Sequence, residues 1–344
     1  AARRMQCSNN LKQCGIGLHN FHDVQQGIVP LTIGADSNDY MRLSFFPLLY
    51  PFIEQVPLYD LFATNTWVGT GGITFGVADF SASSTGPQWW INAKTEYPDF
   101  EKIISGVSIY RCPTRRGNSY TVYTETAVSD IPGPLGDYAA PILPLGTQAW
   151  ADCYRHNLVA SYRNFASPLR VALHHGTITT SSKSFSSRDN FAWWTDGLSN
   201  QLVLGEKHIP KDFIGISKNV VHAGVGMNHL ADDCTYLVGG RWGLPGCARN
   251  ILSLSSTLCS ANDYPAPGID PLVTPGGTAS HSWNNGMSSA AAFSGQFDFG
   301  SAHSGICNFL LGDGSVRSIS VTVPKHDLLA YLVHVNDGTP IQLP

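Results

Sequence analysis

AARRMQCSNNLKQCGIGLHNFHD, residues 1–23, is the stretch on which the architecture turns. Cys7, Leu11, Cys14, Leu18 and Phe21 recur at steps of four and three, the spacing that lays one apolar stripe along an α-helix. The other faces carry Arg3, Arg4, Asn9, Asn10, Lys12 and Gln13, and Gly27 follows as a stop signal. The spacing therefore predicts a helix over residues 1–22, roughly 30 Å long at 1.5 Å per residue. A stripe this narrow calls for a single partner surface, either a sheet of its own domain or another helix.

Outward from this helix, MRLSFFPLLYPFIEQVPLYDLF, residues 41–62, is apolar and interrupted by Pro47, Pro51 and Pro57. Proline breaks a helical run, so two short helices are predicted, with Pro57 near the first turn of the second. Residues 65–96, rich in Gly, Ser and Thr, read as an irregular loop with short strands. A short helix is expected from Pro98-Asp99 to Ile104, and a strand over Val107–Tyr110 running into Cys112-Pro113. Asp196-Gly197 reads as a turn before a strand at 201–205, and strands are expected near 234–238 and 251–254. Asn308–Leu311 and Ser315–Ile319 flank Gly312-Asp313-Gly314, a hairpin whose Asp-Gly supplies the positive-φ chemistry of a tight turn. Residues 324–335 read as a last helix.

The 344 residues suffice for one large domain or two ordinary ones. Charged residues are only 13%, about half the usual share, so Ser, Thr, Asn and Gln must supply much of the surface polarity. The net charge of −4, with no basic stripe, argues against a nucleic-acid partner. No run of 18 apolar residues occurs, as a membrane-spanning helix would need. The abrupt start at Ala1-Ala2-Arg3-Arg4 reads as that of a processed or truncated product. Eight cysteines, Cys7, Cys14, Cys112, Cys153, Cys234, Cys247, Cys259 and Cys307, include no C-x-x-C pair. That gives zinc-ribbon and thioredoxin readings no support. An even count in such a chain suits disulfides in an oxidising compartment; buried free thiols are the alternative.

Six segments in order resemble one bacterial family: residues 1–23, then PLLYPFIEQVPLYDLF (47–62), YRCP (110–113), GDYAA (136–140), WTDGLSNQLVLGE (194–206) and FGSAHSGICNFLLGDGSVRSIS (299–320). It is the pilin-like (pseudopilin) group with a prepilin-type N-terminal cleavage and methylation segment and a C-terminal H-x(9)-D-G motif, matched here by His303, Asp313 and Gly314. The resemblance implies an α+β, type IV pilin-like fold. In it the helix of residues 1–26 packs on an antiparallel sheet within a single domain, 27–344, carrying β-rich insertions near 63–97, 141–190 and 207–298. It implies an upstream apolar half-helix that anchors the precursor in the inner membrane and later packs in a filament. The implied partners are other pilin-like subunits, the pilus or secretion assembly machinery and the prepilin peptidase. The implied location is the cell surface, the extracellular space or the periplasm. Because Cys7 and Cys112 both lie in matching segments, a bridge between helix and sheet is expected from the resemblance.

The residues themselves offer several chemistries. His303 with Asp313 could ligate a metal or act as an acid/base pair, but a metal needs further ligands, and none stands at motif spacing. The plainer reading has Asp313 shaping the turn and His303 holding a backbone carbonyl or packing on a ring. Asp196, Gly197 and Asn200, with Glu206 as the closing ligand, loosely resemble a calcium loop; Asp and Asn equally cap turns. Calcium is kept only because some pseudopilins bind it, and no other cofactor is implied. His174-His175 reads as a loop pair and Asp232-Asp233 as a solvated turn. Trp89, Trp90, Trp193 and Trp194, with Trp242 and Trp283, could stack on sugars, although core or interface packing is commoner. No G-x-S-x-G, H-E-x-x-H or Walker A motif occurs, so no enzyme class is indicated. The expected function is a structural subunit of a type IV pilus-like or type II secretion-like filament. The rivals are an envelope-anchored solute- or carbohydrate-binding protein, since the family's domain has been described as solute-binding-like, and a metal-dependent hydrolase using His303 and Asp313.

Overall fold

A computed structural model describes residues 2–33, 43–63, 94–116, 122–123, 132–142, 167–170, 172–179, 182–209, 214–215, 219–221, 228–230, 233, 235–237, 247–250, 272–273, 281–282, 292–293, 299–320, 329–338 and 341. The expected insertions fall for the most part outside these residues.

Helix α1 spans Ala2–Gln25. Cys7, Leu11, Cys14, Leu18 and Phe21 are all buried, together with Asn10, Gly15 and Gly17, and each fully buried large apolar side chain contributes about 1.5–3 kcal/mol. Gln26, rather than Gly27, takes the left-handed conformation that ends the helix (φ 55°). Gly27 is needed for a different reason: a Cβ there would lie 2.3 Å from the Cβ of Ser187.

The helix lies against a five-stranded sheet built from β1 (Tyr138–Ile142), β2 (Leu202–Glu206), β3 (Ala248–Asn250), β4 (Ile306–Leu311) and β5 (Val316–Ser320), in the order β3-β1-β2-β4-β5. Strands β1, β2, β4 and β5 pair antiparallel, and β3 joins β1 in parallel at one edge. An N-terminal helix on a small, mainly antiparallel sheet is an α+β arrangement. Strand β2 is buried throughout, as the central strand between β1 and β4, with Phe299 and Phe309 packed against Gly205. The closeness of α1 to the β4–β5 hairpin depends on Gly15: a Cβ there would stand 2.8 Å from Leu310 Cδ1 and 3.3 Å from the Gly314 Cα.

The β4–β5 turn carries one positive φ, at Gly314 (77°), and the Asp313 carboxylate accepts from the Ser315 amide at 2.8 Å. Two side chains of α1 reach this turn. Lys12 Nζ donates to the Gly314 carbonyl at 2.7 Å, and His19 Nε2 meets the Gly312 carbonyl at 2.9 Å.

The proline-punctuated stretch forms helices at Phe45–Leu48, Tyr50–Ile53 and Val56–Ala63. It closes an aromatic cluster in which Tyr110 donates to the Phe46 carbonyl at 2.8 Å and Tyr50 to the Tyr236 hydroxyl at 3.2 Å. The helix expected from Pro98 is present as Phe100–Ile104. The strand expected over Val107–Tyr110 is instead a 3-10 turn, Ser108–Tyr110. Its backbone is drawn off the ladder, because the Tyr110 carbonyl accepts from the Asp137 amide at 2.8 Å and the Cys112 amide donates to the Asp137 carboxylate at 2.7 Å. Among the described residues near 234–238, Thr235 forms an isolated bridge with Leu135 and residues 236 and 237 turn; 234, 238 and 251–254 lie outside the described residues. Of the expected last helix, Ala330–Val333 is helical, and 324–328 lie outside the described residues. His174 and His175 stand in a strand, Leu173–Thr179, opposite Phe185 and Ser184, not in a loop.

Candidate functional site

Four side chains from four separate parts of the chain converge where the start of α1 meets the sheet. Cys7 comes from the second turn of α1, Cys112 from the segment after the 3-10 turn, Glu206 from the end of β2 and His303 from the bend before β4. One sulfur, oxygen or nitrogen of each lies within 4.8 Å of all the others. His303 Nε2 is 3.8 Å from Cys112 Sγ and 3.3 Å from Glu206 Oε1. All four residues are buried: Cys7 0%, Cys112 1%, Glu206 1% and His303 6% exposed.

Each member is fixed from behind. Tyr138 donates to the Cys7 carbonyl at 3.3 Å, and Asn10 donates to the Arg111 carbonyl at 2.8 Å, tying α1 to the Cys112 segment. Glu206 accepts from the Asn308 amide at 2.9 Å and from its side chain at 3.2 Å, and Asn308 in turn accepts from Ser318 at 2.7 Å. The His303 amide donates to Ser301 Oγ at 3.0 Å. Behind Cys112 lies a buried ion-pair network. Asp137 accepts from Arg115 at 3.0 Å and from Arg116 at 2.9 Å, while Arg116 also grips both carboxylate oxygens of Asp233. Arg115 further donates to the carbonyls of Lys207, at 2.5 Å, and Gly300, at 3.2 Å. It thereby ties together the segments that carry Glu206 and His303.

The electrostatics separate the two thiols. The hydrogen bond from Cys7 and, against the effect of burial, a second from His303 bring Cys112 down to about 6. Hydrogen bonds to Cys112 and then Glu206 push His303 up to about 9. The hydrogen bond to Cys112, with burial, raises Cys7 far above the ordinary thiol range. A thiolate, an imidazolium and a thiol thus share one enclosed volume at neutral pH with the Glu206 side chain. Burial pushes Cys14 up to about 12 and Cys307 well above its usual value, which makes them inert core thiols. The four-residue cluster holds two sulfurs, an imidazole nitrogen and a carboxylate oxygen, the donor set of a closed transition-metal site. Its burial suits a structural role better than a nucleophile offered to substrate.

The residues singled out in the sequence are regrouped by the fold. His303 and Asp313 do not pair: they lie at opposite ends of β4, about 17 Å of strand apart, with Asp313 in the exposed turn. Asp196 and Glu206 likewise stand before and at the end of β2, so no calcium loop closes between them. The Asp196 oxygens accept from the amides of Asp337, at 2.9 Å, and Gly338, at 3.1 Å, Asn200 donates to the Asp196 carbonyl at 2.9 Å, and Gly197 takes a φ of 94°. His334 joins Asp196 and Asp337 in a second, half-buried group.

The expected Cys7–Cys112 bridge is not formed, although the two thiols do meet; Cys14 and Cys307 are also free and buried, and Cys247 is buried. Cys153, Cys234 and Cys259 lie outside the described residues. Asp233 is not a solvated turn residue but the buried partner of Arg116. Trp194 is 3% exposed and donates to the Pro168 carbonyl at 3.0 Å, while the Arg170 guanidinium covers the ring of Trp193 at 3.7 Å. Trp194 is thus a core residue and one face of Trp193 is taken by the guanidinium; Trp89, Trp90, Trp242 and Trp283 lie outside the described residues. The Arg115–Arg116–Asp137–Asp233 network is not anticipated in the sequence reading. Its signal is two adjacent arginines just after YRCP, and the aspartate of GDYAA, in a chain poor in charge.

Fold and site together define an α+β domain whose N-terminal helix is fastened to its sheet by a buried cysteine, histidine and glutamate cluster. The chain belongs to the family described as protein of unknown function (DUF1559), whose profile matches residues 1–326. No curated protein and no solved structure matches it.

Proposed function

We propose that this chain is the folded outer part of a pilin-like (pseudopilin) subunit. It is a structural rather than catalytic protein, and it joins a type IV pilus-like or type II secretion-like filament at the cell surface through helix upstream of α1. The supporting observation is how α1 is used. From Cys7 onward one stripe is buried in the domain, whereas Ala2–Gln6 are exposed and Met5 is 60% exposed. The first turn therefore stands clear of the sheet, in the direction a continuing helix would take. Among the described residues no helix is long and apolar enough to cross a membrane; the proposal assigns anchoring and polymerisation to an upstream half-helix. The resemblance of residues 1–23 to the stretch that follows the apolar half of a pilin helix, and of the run from His303 to Asp313-Gly314 to the family's C-terminal motif, supports it. Prepilin peptidase would process the precursor at the inner membrane, and like subunits would pack against its upstream helix.

The test is to tag the full-length precursor in its own cells, shear the surface and look for the tag in fibres by immuno-electron microscopy. Labelled fibres support the filament reading. Recovery only as membrane-bound monomers overturns it.

A further inference from the structure

We propose that Cys7, Cys112, Glu206 and His303 form a closed tetrahedral zinc site that staples α1 to the sheet. The proposal does not depend on the filament reading. Its first support is geometric. Zinc bonds of about 2.3 Å to sulfur and 2.0–2.2 Å to nitrogen and oxygen, set at tetrahedral angles, place S···N near 3.6 Å and N···O near 3.4 Å (~0.2 Å scatter). The corresponding separations here are 3.8 Å for Cys112 Sγ···His303 Nε2 and 3.3 Å for His303 Nε2···Glu206 Oε1.

The second support is an unbalanced hydrogen-bond account. His303 turns one nitrogen, Nε2, toward both Cys112 and Glu206, and one N–H serves two acceptors poorly. A cation at the centre satisfies the nitrogen, the oxygen and both sulfurs at once. The third support lies in the surroundings, since metal-ligating carboxylates are characteristically oriented by a second hydrogen-bonding partner. The Asn308 backbone amide holds Glu206 Oε2 and the Asn308 side chain donates to Oε1 at 3.2 Å, which fixes Oε1 on the cluster side, 3.3 Å from His303 Nε2.

The donor types select the metal. Two thiolates with imidazole and a carboxylate favour Zn²⁺ over Mg²⁺ or Ca²⁺, which take oxygen ligands. On binding, both cysteines ligate as thiolates and His303 as neutral imidazole, with the displaced protons passing to solvent. Two thiolates and a carboxylate around Zn²⁺ leave one net negative charge. The Arg115 guanidinium, bonded to the carbonyl of Lys207 next to Glu206 and to that of Gly300 before His303, stands beside the cluster as a counter-charge.

A Cys7–Cys112 disulfide is the competing chemistry. It would bring the sulfurs to about 2.05 Å and remove two of the four ligands. The experiment uses the full 344-residue chain, purified with reductant, stripped with a chelator and titrated with Co²⁺ and then Zn²⁺. The expected result is one Co²⁺ per chain, with visible bands of tetrahedral cobalt and near-ultraviolet thiolate-to-cobalt bands, bleached by one equivalent of Zn²⁺. Cys14→Ala, on the same helix but outside the cluster, keeps this spectrum. Glu206→Gln and His303→Asn change or abolish it while far-ultraviolet circular dichroism reports whether the fold persists. Asn308→Ala, which removes the side-chain bonds to Glu206 Oε1 and from Ser318 and keeps the backbone-amide bond to Oε2, weakens zinc binding about ten- to a hundredfold. The proposal is overturned if the reduced wild-type chain gives no tetrahedral cobalt spectrum. It is equally overturned if protein isolated from its host without reductant carries a Cys7–Cys112 disulfide in place of metal.

Discussion

Asp137→Asn is the most informative single perturbation of the fold. The Asp137 side chain is fully buried and serves three donors: Arg115 at 3.0 Å, Arg116 at 2.9 Å and the Cys112 amide at 2.7 Å. Burial alone would raise its carboxyl. Arg116, Arg115 and the Cys112 amide outweigh that and hold it below the ordinary carboxylate range. Asparagine keeps the shape and removes the charge. Breaking a buried pair by removing one partner costs about 3–5 kcal/mol. Arg116 keeps Asp233, so the lower end applies, about 3 kcal/mol, against a total stability of about 5–15 kcal/mol. Urea unfolding followed by circular dichroism at pH 7 reads this as a lower midpoint. The pH dependence supplies a second readout. The folded-state pKa of Asp137 is depressed, so its contribution is fully present above the unfolded value of about 3.9 and is lost as pH falls through the folded value. Wild type should therefore lose stability on acidification below about pH 4, and Asp137→Asn should do so less steeply. If the variant lies within about 1 kcal/mol of wild type at neutral pH, or shows the same acid slope, the network does not hold this part of the fold.

Three further outcomes follow from the packing. Leu11→Ala empties a fully buried position on α1 and should cost about 2–5 kcal/mol, measured by urea unfolding; a loss under 1 kcal/mol would mean that α1 is not docked as described. Gly205→Ala places a Cβ 2.5 Å from Phe309 Cε1 and 2.6 Å from Phe299 Cδ1, so overpacking should lower stability by about 1–3 kcal/mol, and an unchanged melting temperature would contradict that strand register. Lys12→Met removes the hydrogen bond to the Gly314 carbonyl and should cost about 0.5–1.5 kcal/mol, with faster amide exchange confined to the β4–β5 turn; exchange unchanged there would show that the lysine does not restrain it.

Local chemistry made much of the fold legible. The stripe from Cys7 to Phe21 needs only helical periodicity, and the Asp313-Gly314 turn needs only the conformational freedom of glycine, so α1 and the β4–β5 hairpin stand where the sequence puts them. Val107–Tyr110 misled because its alternation is real, but the polar groups around it bond to Asp137, a partner invisible to local pattern. The site was illegible for the same reason on a larger scale. His303, Glu206, Cys7 and Cys112 each draw notice in the sequence, yet under three different chemistries. Cys112 and His303 are 191 residues apart, and no motif spacing carries information over that distance. Asp313 drew the histidine away from its partners because it stands nearby in sequence. In space, β4 lies between them.

That separation gives the run from His303 to Gly314 a physical meaning. Between its ends lies β4, whose six residues extend about 17 Å. Along α1, the step from Cys7 to His19 covers about 18 Å. The two lengths match, and contacts form at both ends: His303 joins the Cys7 cluster at one, while the carbonyls of Gly312 and Gly314 receive His19 and Lys12 at the other. Histidine and Asp-Gly thus act not on each other but on the same helix, as two fixings one strand apart. Asp313 serves by shaping the turn that presents those carbonyls, and Gly314 by taking the positive φ that the turn requires. A helix held at both ends resists tilting and sliding against the sheet.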